Sequence, residues 1–320
     1  MNITITQLEY IVAVDTHRNF AKAAAHCFIT QPTLSMQIKK LEQQLGVLIF
    51  DRSKKPVKPT KVGEKVIAQA RNSIHSLARI QEIIQDSKGD IEGGLRIGII
   101  PTLAPYLLPG FVTSMVKNYP KTQLIIEELL SEQILERLNN DLLDIGIMVP
   151  PAGNRFKSLP LFQEEFLLYF SDSHRLQSQK EIVVKELDTR DLWLLKEGHC
   201  FRDQVETLCR KEFSQQVNRP IQFETGSLET LKNIIDHRLG FTLLPQLATL
   251  GWKTSDKQRL RRFDGKKPVR QVGLVFHKSF LKEGLIKALQ KEIISSLPAV
   301  IRDSTSERVI EWTPKKETIL

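Results

Sequence analysis

Cys200 and Cys209, nine positions apart, are the residues of this 320-residue chain whose type and setting most readily do chemistry. A thiol is a good nucleophile only as its thiolate, a form favoured at a helix N-terminus or beside positive charge. Cys200 follows the apolar run around Leu194 and a Lys-Glu-Gly-His turn, and it opens the segment Phe201 to Phe213. There Val205, Leu208, Cys209 and Glu212 repeat at helical spacing, which directs the positive end of that helix at the Cys200 sulfur. The plainer reading is two inert core thiols, because cysteine is among the most buried residue types. Cys27, the third cysteine, is assigned to that category.

Composition bounds the setting of that chemistry. A length of 320 residues suits two or three domains. The net charge of +9 and the pI near 9.4 favour an anionic partner. Residues 39 to 65 concentrate Lys39, Lys40, Arg52, Lys54, Lys55, Lys58, Lys61 and Lys65 against Glu42, Asp51 and Glu64, an excess suited to phosphates. A second basic run, Arg259 to Arg270, reads as a solvated loop. Three cysteines without a CxxC pair or a histidine cluster fit neither a secreted disulfide framework nor a zinc site, so no metal and no cofactor is expected. No apolar stretch is long enough to span a bilayer, and the start MNITITQLEY lacks the pattern of a signal peptide; the expected location is the cytoplasm, with no membrane partner.

The elements that would read DNA come first. Helices are expected over Thr6 to Thr16 and over the alanine-rich Phe20 to Ala25. A third starts after the cap Thr30, with Pro32 just inside it, and ends near Leu45 at Gly46. Its buried face is Leu34, Ile38, Leu41 and Leu45, which leaves Gln31, Thr33, Ser35, Gln37 and Lys39 on or near the outer face. Two helices brought close by alanines form a helix-turn-helix, and Val47 to Thr60, bounded by prolines, reads as a wing carrying Arg52, Lys54 and Lys58. From Lys61 to Lys88 the positions Ile67, Ala70, Ile74, Leu77, Gln81 and Ile84 make a narrow seam for a second subunit; a surface helix packed on its own domain is the alternative.

After a linker at Gly89 to Gly94 the pattern becomes α/β. Strands are expected at Leu95 to Ile100, Gln123 to Glu128, Asp144 to Met148, Phe166 to Phe170, Leu192 to Leu195, Gly240 to Leu244 and Val272 to His277. Helices are expected at Tyr106 to Asn118, Leu228 to His237 and Leu281 to Ser295. The sheet is expected to be mainly parallel, with ligands at strand C-terminal ends. Residues beyond about Arg302 read as a tail.

Phe20-Ala21-Lys22-Ala23-Ala24, Thr30-Gln31-Pro32-Thr33-Leu34-Ser35, Gln37-Ile38, Leu41-Glu42-Gln43-Gln44-Leu45-Gly46 and Leu48-Ile49-Phe50-Asp51-Arg52 together resemble the DNA-binding domain of LysR-type regulators. Several fixed spacings must hold at once, which makes the match specific. The resemblance implies a winged helix-turn-helix over 1–60, a linker and dimerisation helix over 61–90, a sensor over 91–302 similar to periplasmic binding proteins, and a tail over 303–320. Within the sensor, one subdomain would take about 91–165 and 269–302 and the other about 166–268. The implied partner is double-stranded promoter DNA, read by Thr30, Gln31, Pro32, Thr33, Ser35, Gln37 and Lys39 and held by Arg52, Lys54 and Lys58. A homodimer or homotetramer is implied, with RNA polymerase as a candidate further partner.

The blocks Ile99-Ile100-Pro101-Thr102 with Pro105-Tyr106-Leu107-Leu108-Pro109, Gly198-His199-Cys200-Phe201-Arg202-Asp203-Gln204, Ser227-Leu228-Glu229-Thr230-Leu231 and Gly240-Phe241-Thr242-Leu243-Leu244-Pro245 resemble the peroxide-sensing members of that family. By that resemblance Cys200 is the cysteine oxidised by hydrogen peroxide and Cys209 the one that resolves it as a disulfide. Thr102, Ser131, His199 and Asp203 become the candidate groups around the peroxide. Ser131 departs from the threonine common in the family, and Glu132 from a frequent histidine. In a continuous helix the two cysteine Cα atoms stand roughly 13.5 Å apart on opposite faces, against about 4.4–6.8 Å for a disulfide, so the helix must open. A regulator that binds a small metabolite and a thiol peroxidase are the competing functions; the DNA reader and the seam speak against an enzyme.

Overall fold

Thr4 starts the first helix, α1 (Ile5–His17), by accepting from the Gln7 N–H at 3.3 Å while the Gln7 side chain accepts from the Thr4 N–H at 3.1 Å. Such a reciprocal cap satisfies two of the donors a helix start leaves without partners. Asn19 caps α2 (Phe20–His26), and Thr30 caps α3 (Gln31–Leu45), which Gly46 ends at φ 69°, a left-handed conformation that a Cβ would strain. Strands β1 (Phe50–Asp51) and β2 (Lys58–Pro59) pair antiparallel as a minimal wing, followed by α4 (Lys61–Asp86). Ile11, Val14, Ala23, Ala24, Leu34, Ile38, Leu41, Ile49 and Phe50 form the core. The structure, a computed structural model, describes residues 3–54, 56–86, 92–209, 223–237, 240–277, 283–303 and 308–315, without the side chains of 75 and 78–86.

Two readings of this region change. Leu45 is only half-buried, and the buried neighbour on α3 is Glu42, whose carboxylate accepts from the N–H groups of Ile49 at 2.8 Å and Phe50 at 3.2 Å. An acid counted against the basic patch is thus an internal acceptor that ties the wing to α3. In the expected dimerisation seam, Ile67 and Ala70 are buried in the same core as α1, because α4 packs along α1 at its start. Ile74 is half-buried and Leu77 exposed, whereas the side chains of Gln81 and Ile84 lie outside the described residues.

The chain divides into two compact units, Met1–Lys88 with Asn139–Leu142, and Gly89–Leu138 with Leu143–Leu320. In the second, β3 (Gly93–Ile99), α5 (Ala104–Asn118), β4 (Thr122–Glu128), α6 (Ser131–Asn139) and β5 (Ile145–Met148) alternate. The long β6 (Phe156–Phe170) follows, then β7 (Glu181–Ile182), β8 (Leu192–Trp193), α7 (Cys200–Leu208), α8 (Leu228–Asp236) and β9 (Phe241–Pro245). Short helices α9 (Gln246–Thr249) and α10 (Thr254–Lys257) lead to β10 (Leu260–Phe263), β11 (Pro268–His277), α11 (Glu283–Ser296), α12 (Ala299–Arg302) and β12 (Arg308–Val309). Half of the expected linker, 89–91, lies outside the described residues, and β3 already starts at Gly93.

The sheet is mixed rather than mainly parallel. β3 is parallel to β4 and β5, but β11 runs antiparallel to β5 and β6, and β6 antiparallel to β9 and β10. Apolar patterning reports that a strand exists, not the direction of its partner. β6 begins ten residues earlier than Phe166; those ten residues carry Lys157, Pro160, Glu164 and Glu165, which hide the strand in the sequence. One core gathers Leu95, Ile97, Phe111, Ile134, Ile147, Leu274 and Leu289; a second gathers Phe166, Phe170, Val205, Leu208, Leu231, Phe241 and Leu243.

The expected tail is also corrected. β12 pairs in parallel with Pro268 and Val269, and Ile310 and Trp312 are buried, so a run too short to show a period still completes both cores. The basic run is no solvated loop either: Arg259 binds Asp236 at 2.7 Å, Arg261 donates to backbone carbonyls, and Arg270 is wholly buried against Glu164. Among the described residues no helix is long and apolar enough to cross a membrane.

Candidate functional site

Cys200 is the first residue of α7, set there by Gly198 at φ 90°, which turns the chain so that His199 becomes the helix cap. The thiol is buried at 1 % exposure and belongs to the first core, while Phe201, Val205, Leu208 and Cys209 of the same helix belong to the second. Cys209 ends α7, its N–H donating to Val205 at 3.0 Å, and neither cysteine is in a disulfide. The helix is therefore continuous between them and each thiol sits in a different core. The remainder of the expected helix, from residue 210, lies outside the described residues.

Four further elements converge on the sulfur. Ser131, buried at the start of α6, has a hydroxyl that favours the thiolate and has no hydrogen-bond partner among the described residues. The Val149 backbone, just past β5, also favours the thiolate. Thr102, in the turn between β3 and α5, accepts from Arg270 Nη1 at 2.8 Å through its hydroxyl. The Arg270 guanidinium also donates from Nε to Glu164 Oε1 at 2.9 Å and lies 5.2 Å over the Phe201 ring. Glu164 in turn accepts from the Leu247 N–H at 2.7 Å, so the ion pair is closed on all sides. Two helix N-termini and one guanidinium thus surround a single sulfur.

These groups do not leave Cys200 a low-pKa thiol. Burial pushes it above its ordinary value and the Asp203 charge adds to that; the Ser131 hydroxyl, the Arg270 charge and the Val149 backbone pull the other way without overcoming it. The expected depression is thus reversed, because the dipole and charge came with a dry pocket that penalises the thiolate. His199 is also buried, and desolvation followed by the Lys196 charge lowers its pKa to about 4, so the ring is neutral near pH 7. Its Nε2 has no partner among the described residues, and Gly226 makes room for it: a Cβ there would stand 3.2 Å from that nitrogen. His199 borders a cleft of about 500 Å³ together with Pro101, Tyr106, Lys196, Thr225 and Glu229.

Of the sequence-derived candidates, Thr102, Ser131 and His199 gather with Cys200. Asp203 reaches Cys200 and His199 through its charge alone; its carboxylate accepts from Trp312 Nε1 at 3.0 Å and pairs with Lys315 at 2.9 Å. Arg270 and Glu164 were missed, since each looked like one charge among many in a charged stretch; only the packing makes them a buried pair.

On the reading helix, Gln31, Pro32, Thr33 and Lys39 are exposed and Gln37 is half-buried. The Thr30 and Thr33 hydroxyls hydrogen-bond each other at 2.8 Å. Ser35 accepts from Arg52 Nη1 at 3.0 Å, and Arg52 also reaches Glu42 at 3.0 Å and lies 4.9 Å over Phe20. Arg52 is therefore held inside its own domain as a clasp, whereas Lys58 is exposed and Lys54 stands 3.6 Å from Asp51. Among the described residues no group of acids, histidines and cysteines has the arrangement of a metal site. Cys27 is half-buried at the end of α2.

Residues 5–64 match the bacterial regulatory helix-turn-helix protein, lysR family, and residues 88–295 the LysR substrate binding domain. The chain is 34 % identical over 275 residues to the DNA-binding transcriptional dual regulator OxyR of Escherichia coli K12, covering 86 % of this chain and 89 % of the relative. It is 32 % identical over 275 residues to the hydrogen peroxide-inducible genes activator of Haemophilus influenzae, covering 86 % and 90 %. Among solved structures, a full-length OxyR variant from Pseudomonas aeruginosa superposes with a TM-score of 0.73 at 34 % identity, over 91 % of this chain and 98 % of that one. A peroxide-bound OxyR mutant from Corynebacterium glutamicum gives 0.58 at 26 % identity, over 92 % and 93 %.

Proposed function

The chain belongs to the LysR family of bacterial helix-turn-helix regulators, and from that premise we propose that it binds promoter DNA and activates antioxidant genes when hydrogen peroxide oxidises Cys200. The observation that carries the proposal is the pocket itself: a buried thiol at a helix N-terminus, faced by the Ser131 hydroxyl and the Thr102–Arg270 pair, with a second thiol at the far end of the same helix.

The Cys200 thiolate attacks one peroxide oxygen; the S–O bond forms, the O–O bond breaks, and hydroxide departs and takes a proton from solvent to become water, leaving a sulfenic acid. Because the Thr102 oxygen accepts from Arg270, its own O–H is directed away from that guanidinium and serves the leaving oxygen together with Ser131. His199 caps the helix start through its backbone carbonyl, and its neutral ring adds no charge. Cys209 then displaces the sulfenic oxygen, giving the disulfide.

The protein acts as a regulator rather than a peroxidase, consuming peroxide once per switching event, as a cytoplasmic homodimer or homotetramer. A brief peroxide pulse followed by mass analysis of Cys200, with promoter binding measured in parallel, tests the assignment. Oxidation at Cys200 accompanied by altered promoter binding is the expected result, and Cys200 unchanged while transcription still responds would overturn it. The cleft beside His199 supports a second reading, a small metabolite as the signal. A response retained after both cysteines are replaced by serine would decide for that.

A further inference from the structure

The chain's last described segment, Arg308–Lys315, is anchored in both sensor cores. Ile310 donates its N–H to Val269 O at 2.8 Å and lies in the second core; Trp312 lies in the first, its carbonyl accepting from the Ala152 N–H at 2.9 Å. Between those anchors the segment lies on α7. Gln204 Nε2 donates to Ile310 O at 2.6 Å, and Trp312 Nε1 donates to Asp203 Oδ2 at 3.0 Å. Lys315 Nζ sits 2.9 Å from Asp203 Oδ1 and 3.9 Å from Glu206 Oε2. All three partners, residues 203, 204 and 206, stand on the stretch of helix between Cys200 and Cys209.

We propose that segment 308–315 is a clamp on α7 that governs how fast Cys200 and Cys209 can meet. The proposal rests on the redox reading above. In the first step hydrogen peroxide oxidises the thiolate in place, and the helix need not move. In the second, the Cys209 thiolate attacks the sulfenic sulfur: the S–S bond forms, the S–O bond breaks, and the oxygen leaves as water after taking a proton. That step requires residues between the cysteines to leave helical geometry, since their Cα atoms begin roughly 13.5 Å apart. The clamp's bonds to Asp203, Gln204 and Glu206 must be given up at the same time. The clamp therefore opposes disulfide closure and leaves sulfenic acid formation untouched.

The test uses the full chain with Lys315→Ala combined with Trp312→Phe, which removes the ion pair and the indole N–H while keeping an aromatic ring in the core. In reduced protein, amides of Cys200–Leu208 should exchange with solvent faster than in wild type. After a peroxide pulse, rapid quench and mass analysis should show sulfenic acid appearing at the wild-type rate and the disulfide about tenfold faster, the weight of one hydrogen bond to a charged group. Thermal melting checks that the variant remains folded; should it not, Lys315→Ala alone carries the test, with a smaller acceleration in the same step. Wild-type amide exchange, or disulfide closure at the wild-type rate, in a folded variant would overturn the clamp. Wild-type protein that never forms the Cys200–Cys209 bond would instead overturn the redox reading, and the clamp's effect on closure with it.

Discussion

The reading helix and the thiol pocket solve opposite problems. On α3 the side chains proposed to meet DNA come from one short stretch, 30–39, and most are exposed; their function depends on facing water until a partner replaces it. Around Cys200 the groups come from Thr102, Ser131, Val149, Glu164, His199 and Arg270, and every one is buried. A surface reader is assembled by a single helix and its cap, whereas a reactive pocket needs several strands and helices to end at one point. Substitutions should therefore act locally in the first region and spread through the fold in the second.

The largest expected difference is functional. Cys200→Ser should abolish the transcriptional response to peroxide while leaving operator affinity of the reduced protein unchanged, as read by reporter output and gel shift. A peroxide response in that variant would break the division between pocket and reader.

Next in size is Arg270→Met. It leaves the Glu164 carboxylate buried without its partner, which should cost about 3–5 kcal/mol in denaturant unfolding of the sensor. Adding Glu164→Leu should restore much of that loss. If the single variant were as stable as wild type, the buried pair would not be the pillar of the pocket described here.

The pH dependence of the sensor sharpens the contrast further. Burial holds the folded-state pKa of His199 near 4, below the ordinary value of about 6.5 in an unfolded chain. The unfolded state binds the extra proton in between, so this stabilisation is complete above about pH 6.5 and is lost as pH falls towards 4, a total on the order of 3 kcal/mol. His199→Gln should flatten the unfolding profile over that window, and a profile with the wild-type slope would remove His199 as its source.

The smallest effects belong to the reader. Gln31→Ala should lower discrimination between specific and random DNA by about 1–3 kcal/mol, and Lys58→Ala should weaken all sequences alike and reduce the salt slope by about 1. Arg52→Ala should behave differently from Lys58→Ala: with Glu42 left buried, it lowers the melting temperature of the winged domain as well as DNA affinity. Equal salt-slope changes and equal melting for the two variants would return Arg52 to the phosphate-contact role its charge first suggested.

Local chemistry made the reader legible. Thr30, Pro32 and Gly46 bound α3 through capping and backbone preference, and Leu34, Ile38 and Leu41 show its inner face by spacing alone. Those features act over a few residues, so the amino-acid sequence determined them, as it determined that Cys200 opens a helix. The pairing of Arg270 with Glu164, 106 positions away, left no local trace, nor did the anchoring of Ile310 and Trp312 in two cores. The same holds for the direction of the Cys200 pKa shift. A helix start favours the thiolate and can be read from sequence, but the Arg270 charge that adds to it and the burial that outweighs both exist only once β3, β5, β11, α6 and α7 have closed over the sulfur. Tertiary structure decided that balance because desolvation is a property of everything packed around a group, and the chain order records only its immediate neighbours.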